Sequence, residues 1–246
     1  MKASSKKRRR RIRKKAPLQI RIGRFVLGIL LCFLSFTWTP VIVFKYLNPP
    51  STPLMWIRWA QSDGIGQTST VSWRSINSIS PTLLKAVIAA EDQKFFFHQG
   101  FDWKAIEYAI QANITRDRKI GASTISMQTA RNVFLWQERT WLRKILEGYF
   151  TTLIELCWDK RRILEVYLNV IEWGEGIFGC EKASQLYFRH SSLLLTPVES
   201  AWLAAILPNP RKWSRQPVPD HVRARQIKIL DTMERVKTLM RTNDQN

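Results

Sequence analysis

Acid, cysteine and strand-like alternation are all scarce in this 246-residue chain, and each scarcity excludes something. Only 19 Asp and Glu stand against 39 Lys and Arg. A basic excess of that size suggests nucleic acid when it is spread over a folded surface. Here twelve of the basic residues crowd into residues 1–24, which contain no acid, leaving 27 basic against 19 acidic residues elsewhere. A nucleic-acid partner is therefore not expected. The three cysteines are too few for a disulfide framework or a metal cluster. Cys32 lies in an apolar run, Cys157 and Cys180 are available for pairing in an oxidising compartment, and Cys157 reads as a small buried hydrophobe. No internal repeat and no long period-two pattern occur, so the folded part is expected to be mainly α. With 45% hydrophobic and 24% charged residues, wholesale disorder is excluded.

What is present begins with the basic tail of residues 1–24, followed by Phe25 to Phe44, twenty residues without a charge. That is about the length a helix needs to cross a bilayer core. Pro40 and several Ser and Thr weaken the run, but it is longer than a signal-peptide core, and Lys45 to Pro50 offers no small-residue cleavage site. Residues 25–47 are read as one uncleaved transmembrane signal anchor. The positive-inside rule then places the tail in the cytoplasm, against anionic lipid, and the rest of the chain outside. Residues 48–79, rich in Pro, Ser, Thr and Gly, are expected to be an irregular juxtamembrane connection, and residues 80–240 a single folded domain.

Helix punctuation dominates that domain. Ser80-Pro81 predicts a helix start, with Leu84, Val87, Ile88, Glu91, Phe95 and His98 following at spacings of three or four and Gly100 as the stop. Asp102 caps a second helix to about Asn113, and Thr140 a third to Trp158 with a stripe of Leu142, Ile145, Leu146, Tyr149 and Leu153. Further helices are expected at about 160–173, after the capping box Thr196-Pro197-Val198-Glu199, and from about Asp220.

Two acids stand out. On the expected first helix, Glu91, Phe95 and His98 share one face, so a carboxylate and an imidazole sit among apolar residues. Two readings are open on these residues alone: an acid satisfied by a nearby base, or a general base whose desolvation raises its proton affinity. Glu147 lies four residues after Arg143, an arrangement that an ordinary surface ion pair also gives. Between the acids, Gly121 to Asn132 forms a small-residue turn opening into a polar helix start, where free N–H groups and Arg131 suit phosphate.

Taken together and in order, these segments resemble the peptidoglycan glycosyltransferases (glycosyltransferase family 51), most closely the monofunctional biosynthetic transglycosylases. The first motif of that family is matched by Glu91, Asp92, Phe95, His98 and Gly100. The second is matched by Gly121, Ser123, Thr124, Ile125, Gln128 and Asn132, and the third by Arg143, Lys144 and Glu147. Arg162-Ile163-Leu164-Glu165-Val166-Tyr167-Leu168-Asn169 matches the fourth, and Glu199 to Pro210 resembles the last. The likeness extends over roughly residues 75–235. Ala122, Met127 and Arg131 depart from the family's Gly, Gln and Lys; no carboxylate is lost, and Arg131 keeps the charge.

The resemblance implies a lysozyme-like α domain with a small flexible lobe at about residues 105–140. It implies lipid II as substrate, polymerised by inverting β-1,4 transfer with release of undecaprenyl diphosphate. Glu91 is then the general base and Glu147 the second catalytic carboxylate, more suited to positioning cations or a divalent ion than to attack. Arg131, Arg143 and Lys144 are assigned to the departing diphosphate, with Asp92, Phe95, His98, Ser123, Thr124, Gln128 and Asn132 completing the substrate side. No organic cofactor is implied; a Mg²⁺ or Mn²⁺ ion is, although the sequence displays no ligand set for it. Partners are lipid II, the growing glycan strand and the membrane, with other cell-wall synthesis proteins left open, and the expected location is the bacterial inner membrane. Phe134, Leu135, Trp136 and Trp141 are read as either interfacial or core. After residue 15 neither Ser-x-x-Lys nor Lys-Thr-Gly occurs, so no transpeptidase activity is expected. The rivals are a glycan-cleaving enzyme on a related fold and a catalytically weak membrane scaffold.

Overall fold

A computed structural model describes residues 18–61, 72–115 and 120–243, with side chains described to residue 235. The basic tail to residue 17 and residues 62–71 of the expected connection lie outside that range. Helix α1, Leu18–Tyr46, begins before the uncharged run itself. Its residues up to Pro40 belong to one compact unit and those from Val41 to another. In the first, Phe25, Leu27, Ile29 and Leu31 are exposed, and the Thr37 hydroxyl donates back to the Phe33 carbonyl at 2.9 Å. The helix is long and apolar enough to cross a membrane.

The second unit takes up the end of α1. Val41 is fully buried, and its carbonyl accepts the Trp158 indole N–H at 2.7 Å. Arg162 donates to the Phe44 and Leu47 carbonyls at 2.9 and 2.7 Å, satisfying acceptors that a helix end leaves open. Helix α2, Pro53–Gln61, follows and buries Leu54 and Met55, so this part of the expected irregular connection is helical. The Thr52 hydroxyl accepts the Met55 N–H at 3.3 Å and Pro53 takes the first helical position, which sets its start.

Helix α3, Pro81–Glu91, starts as expected at Ser80, whose hydroxyl accepts from Thr82 N–H. It ends earlier than the apolar spacing predicts. Asp92 takes φ −163°, and its carboxylate accepts the Ile125 N–H and meets His98 Nε2, both at 3.0 Å. Those tertiary bonds outweigh one more helical turn, and residues 93–97 form turns instead. Glu91, Phe95 and His98 therefore do not share a helix face. Gly100 closes the turn at φ 89°, where its missing Cβ leaves room for Thr151 and Glu155.

Helix α4, Trp103–Thr115, is capped by Asp102, and α5, Ile125–Phe134, by Thr124. Within the stretch expected as a small lobe, α4 buries only Ala109 and Ala112, whereas α5 contributes Ile125, Ala130 and Val133 to the core. Helix α6, Trp141–Cys157, has the expected Thr140 cap, but its buried face carries Arg143, Glu147, Phe150 and Ile154. Of the expected stripe, Leu153 is buried and Leu146 and Tyr149 pack partly buried against the core, whereas Leu142 and Ile145 are exposed. Trp141 is exposed, whereas Leu135 is buried and Phe134 stacks on Phe150 at 4.6 Å.

Helix α7, Lys160–Val170, runs through the centre with Ile163, Leu164, Val166, Tyr167 and Leu168 buried. A two-stranded antiparallel hairpin follows, β1 Glu172–Gly174 and β2 Ile177–Phe178, then α8, Cys180–Phe188. Neither was expected from the sequence: the strands are too short to show alternation. Helix α9, Pro197–Ile206, has the capping box complete, and α10, Pro210–Trp213, leads to α11, Asp220–Asn243. All three cysteines are free; Cys180 is the buried one and Cys157 is only half-buried.

Candidate active site

The end of α3, the start of α5 and two side chains from α7 and α11 meet around Glu91. Helix α3 stops at this residue because Asp92 turns away, which leaves the Glu91 side chain at a helix end rather than along its flank. Gln128 Nε2 donates to Glu91 Oε2 at 2.9 Å, and Arg225 donates to Oε1 at 3.0 Å. The carboxylate side chain is 14% exposed, and burial raises its proton affinity above the usual range against the opposing pull of Gln128, Arg225 and Arg131. Desolvation wins over the cations. A partly open acid of raised affinity is the condition a general base requires near neutral pH.

Behind it, Tyr167 donates its hydroxyl to Gln128 Oε1 at 3.0 Å. Beside it lies a cavity of about 300 Å³, lined among others by Glu91, Lys94, Asp102, Gly121, Ala122 and Ser123. Lys94 and Asp102 pair with each other at 3.2 Å.

The structure sorts the expected site residues into groups. Glu91, Gln128 and Ser123 stand at the cavity or touch its acid. Asp92 and Thr124 also line it, but their polar atoms hold the backbone: Asp92 receives the Ile125 N–H, and Thr124 donates to the Gly100 carbonyl at 2.6 Å. His98 lies between Asp92 and the Gly100 N–H, and Phe95 is fully buried beneath the Lys160 ammonium. Asn132 donates to the Gln128 carbonyl at 2.8 Å and accepts from Gln137, steadying the helix that carries Gln128. Arg131 adds its charge toward Glu91 and Tyr167, and its buried Nε has no hydrogen-bond partner among the described residues.

Glu147 forms a separate cluster. It is 1% exposed, its two oxygens accept from Arg143 and from Lys144, and it does not line the cavity. Arg143 is nearly as buried, while Lys144 is half-exposed. Among the described residues no three His, Cys, Asp or Glu side chains gather as a metal-ligand group. Each Glu91 oxygen accepts one hydrogen bond, and both Glu147 oxygens are engaged by cationic donors.

Sequence reasoning missed Arg225 as a site residue. It is 134 positions from Glu91, on a helix where the described Arg223, Lys228, Asp231, Glu234 and Arg235 are exposed, and nothing local distinguishes it from them. Tyr167 lay in a quoted motif but was not assigned to the site; a Tyr among the buried residues of α7 was its one signal.

The transglycosylase family model matches residues 60–234, which takes in the whole cluster around Glu91 and the Glu147 group. A biosynthetic peptidoglycan transglycosylase of Bdellovibrio bacteriovorus is 47% identical over 210 residues, covering 84% of this chain and 83% of that protein. One of Rhodospirillum centenum is 49% identical over 189 residues, 76% and 80% of the two chains, and one of Bacteroides thetaiotaomicron 44% over 223, 89% and 90%. With the matched span holding both acids, their cationic partners and the mainly α fold, the chain belongs to the transglycosylase family, as a peptidoglycan glycosyltransferase of the biosynthetic kind.

Proposed function

We propose that the protein polymerises lipid II into β-1,4 glycan strands with Glu91 as general base, while anchored by α1 with its domain on the outer side of the inner membrane. The observation that carries the chemistry is Glu91 itself: a carboxylate of raised proton affinity, open to a cavity and held by Gln128 and Arg225. The acceptor sugar's hydroxyl gives its proton to Glu91 as its oxygen bonds to the donor's anomeric carbon. The bond from that carbon to the diphosphate oxygen breaks on the opposite side, so one displacement inverts the α linkage to β. Negative charge gathers on the departing diphosphate, and Arg131 and the half-exposed Lys144 supply cations for it. Glu147 acts by holding Arg143 and Lys144 rather than by touching the sugar. An enzyme on the bilayer meets a membrane-confined substrate at raised effective concentration, which gives the anchor its use. The absence of transpeptidase motifs makes uncrosslinked strands the expected product.

The test is polymerisation of labelled lipid II by the full-length protein. Long strands from wild type and a loss of about 10²- to 10⁴-fold in Glu91→Gln are expected. Shortening of preformed glycan, or no polymer from wild type, overturns the proposal, and cross-linked product overturns its last part. Orientation is read by protease protection in right-side-out vesicles, where the domain is expected to be accessible and the tail shielded.

A further inference from the structure

The amide of Gln128 is shared between two groups that demand opposite things of it. Its Nε2 faces Glu91 Oε2 at 2.9 Å and its Oε1 faces the Tyr167 hydroxyl at 3.0 Å. We infer that Tyr167 is a positioning residue that keeps Glu91 in its proton-accepting form by fixing the orientation of this amide. The inference rests on Glu91 being the base.

The argument is one of donors and acceptors. An amide can turn over, placing oxygen toward Glu91, but an oxygen there suits only a protonated Glu91 that donates to it. With the amide turned, its NH₂ would point at the Tyr167 oxygen, and the phenolic hydrogen would need another acceptor. Tyr167 is 1% exposed, and its hydroxyl has no other hydrogen-bond acceptor among the described residues. The turned state therefore strands a buried O–H without an acceptor, which disfavours it. Tyr167 so penalises the arrangement that would stabilise protonated Glu91. Its own proton is secure, because burial and the nearby Glu91 charge push its ionisation well above the ordinary phenol range.

The other charges facing this pair come from three elements. Arg131 on α5 and Arg225 on α11 favour the Glu91 carboxylate, and Asp92, after α3, adds negative charge near Tyr167. Lys94 and Asp102 line the cavity as a mutual pair. None of them touches the Gln128 oxygen, whose one hydrogen-bond donor among the described residues is the Tyr167 hydroxyl.

Tyr167→Phe removes that hydroxyl and keeps the ring in the core. In the full-length enzyme, the acid limb of the lipid II polymerisation rate is expected to move up by about one pH unit, while the alkaline plateau stays within about threefold of wild type. Gln128→Leu should move the limb the same way, and the double variant no further than the larger single shift. A uniform loss of rate at all pH values with an unmoved limb overturns the inference, as does an additive double variant. Should Tyr167→Phe fail to fold, Gln128→Leu decides: an unmoved acid limb there refutes the amide's role and with it that of Tyr167. Glu91→Gln separates the two readings. If it remains active, the base assignment has failed; if it is inactive and the limb is unmoved in Tyr167→Phe, only the positioning role has.

Discussion

Removing the charge of Glu147 should destabilise the domain before it informs on chemistry. Glu147 is 1% exposed and faces Arg143, whose side chain is 9% exposed and whose buried Nε has no partner among the described residues. Arg143 therefore depends on Glu147 for its compensation. Losing one partner of such a pair leaves a buried charge and costs about 3–5 kcal/mol. Lys144, 43% exposed, returns to water and adds little. A Gln can still accept one hydrogen bond from Arg143, so the lower figure of about 3 kcal/mol applies. For a domain of this size that lowers Tm by about 6–12 °C. The assay is thermal unfolding of full-length Glu147→Gln in detergent, with polymerisation measured well below the new Tm. A Tm within about 1 °C of wild type together with a large loss of rate would refute the reasoning and make Glu147 a group that acts on substrate.

Three further outcomes are expected. Gly100→Ala places a Cβ 2.8 Å from Thr151 Cγ2 at a φ of 89°, and should cost about 1–3 kcal/mol in denaturant unfolding and loosen the loop between Asp92 and Thr124. Glu181 is held at a pKa of about 2, below the usual 4.5, by hydrogen bonds from Arg74 and Ser192 that overcome its burial. A depressed carboxylate stabilises the fold above the unfolded value, so this contribution should fade as pH falls from about 4.5 toward 2, and Glu181→Gln should flatten acid unfolding in that window. Arg225→Met removes a cation 3.0 Å from Glu91, and the acid limb of the polymerisation rate should rise by about one pH unit, since a one-third exposed Arg is partly screened.

Most helix starts were legible because their cause is local. Ser80, Asp102, Thr140 and Thr196 each bond an N–H within three residues, and such bonds are visible in a string of letters. The stop at Glu91 was not, because the group that ends α3 is Asp92 bonding to Ile125, 33 residues away. Nor was the buried face of α6. Its Leu142 and Ile145 look like core residues and are exposed, while Arg143 and Glu147 look like surface and are buried because each neutralises the other.

The sequence by itself determined the mainly α class, the apolar run of α1, the family and Glu91 as the acid to follow, since composition, caps and motif order are one-dimensional properties. Only the tertiary structure decided what surrounds that acid. Gln128, Tyr167 and Arg225 converge on it from α5, α7 and α11, at separations of up to 134 residues. It also separated residues of one motif into different tasks: Glu91 faces the cavity while Asp92 and His98 hold the backbone beside it. The physical reason is the same in each case. Proton affinity depends on desolvation and on the direction of neighbouring donors, and both are fixed by packing between elements rather than by spacing along the chain.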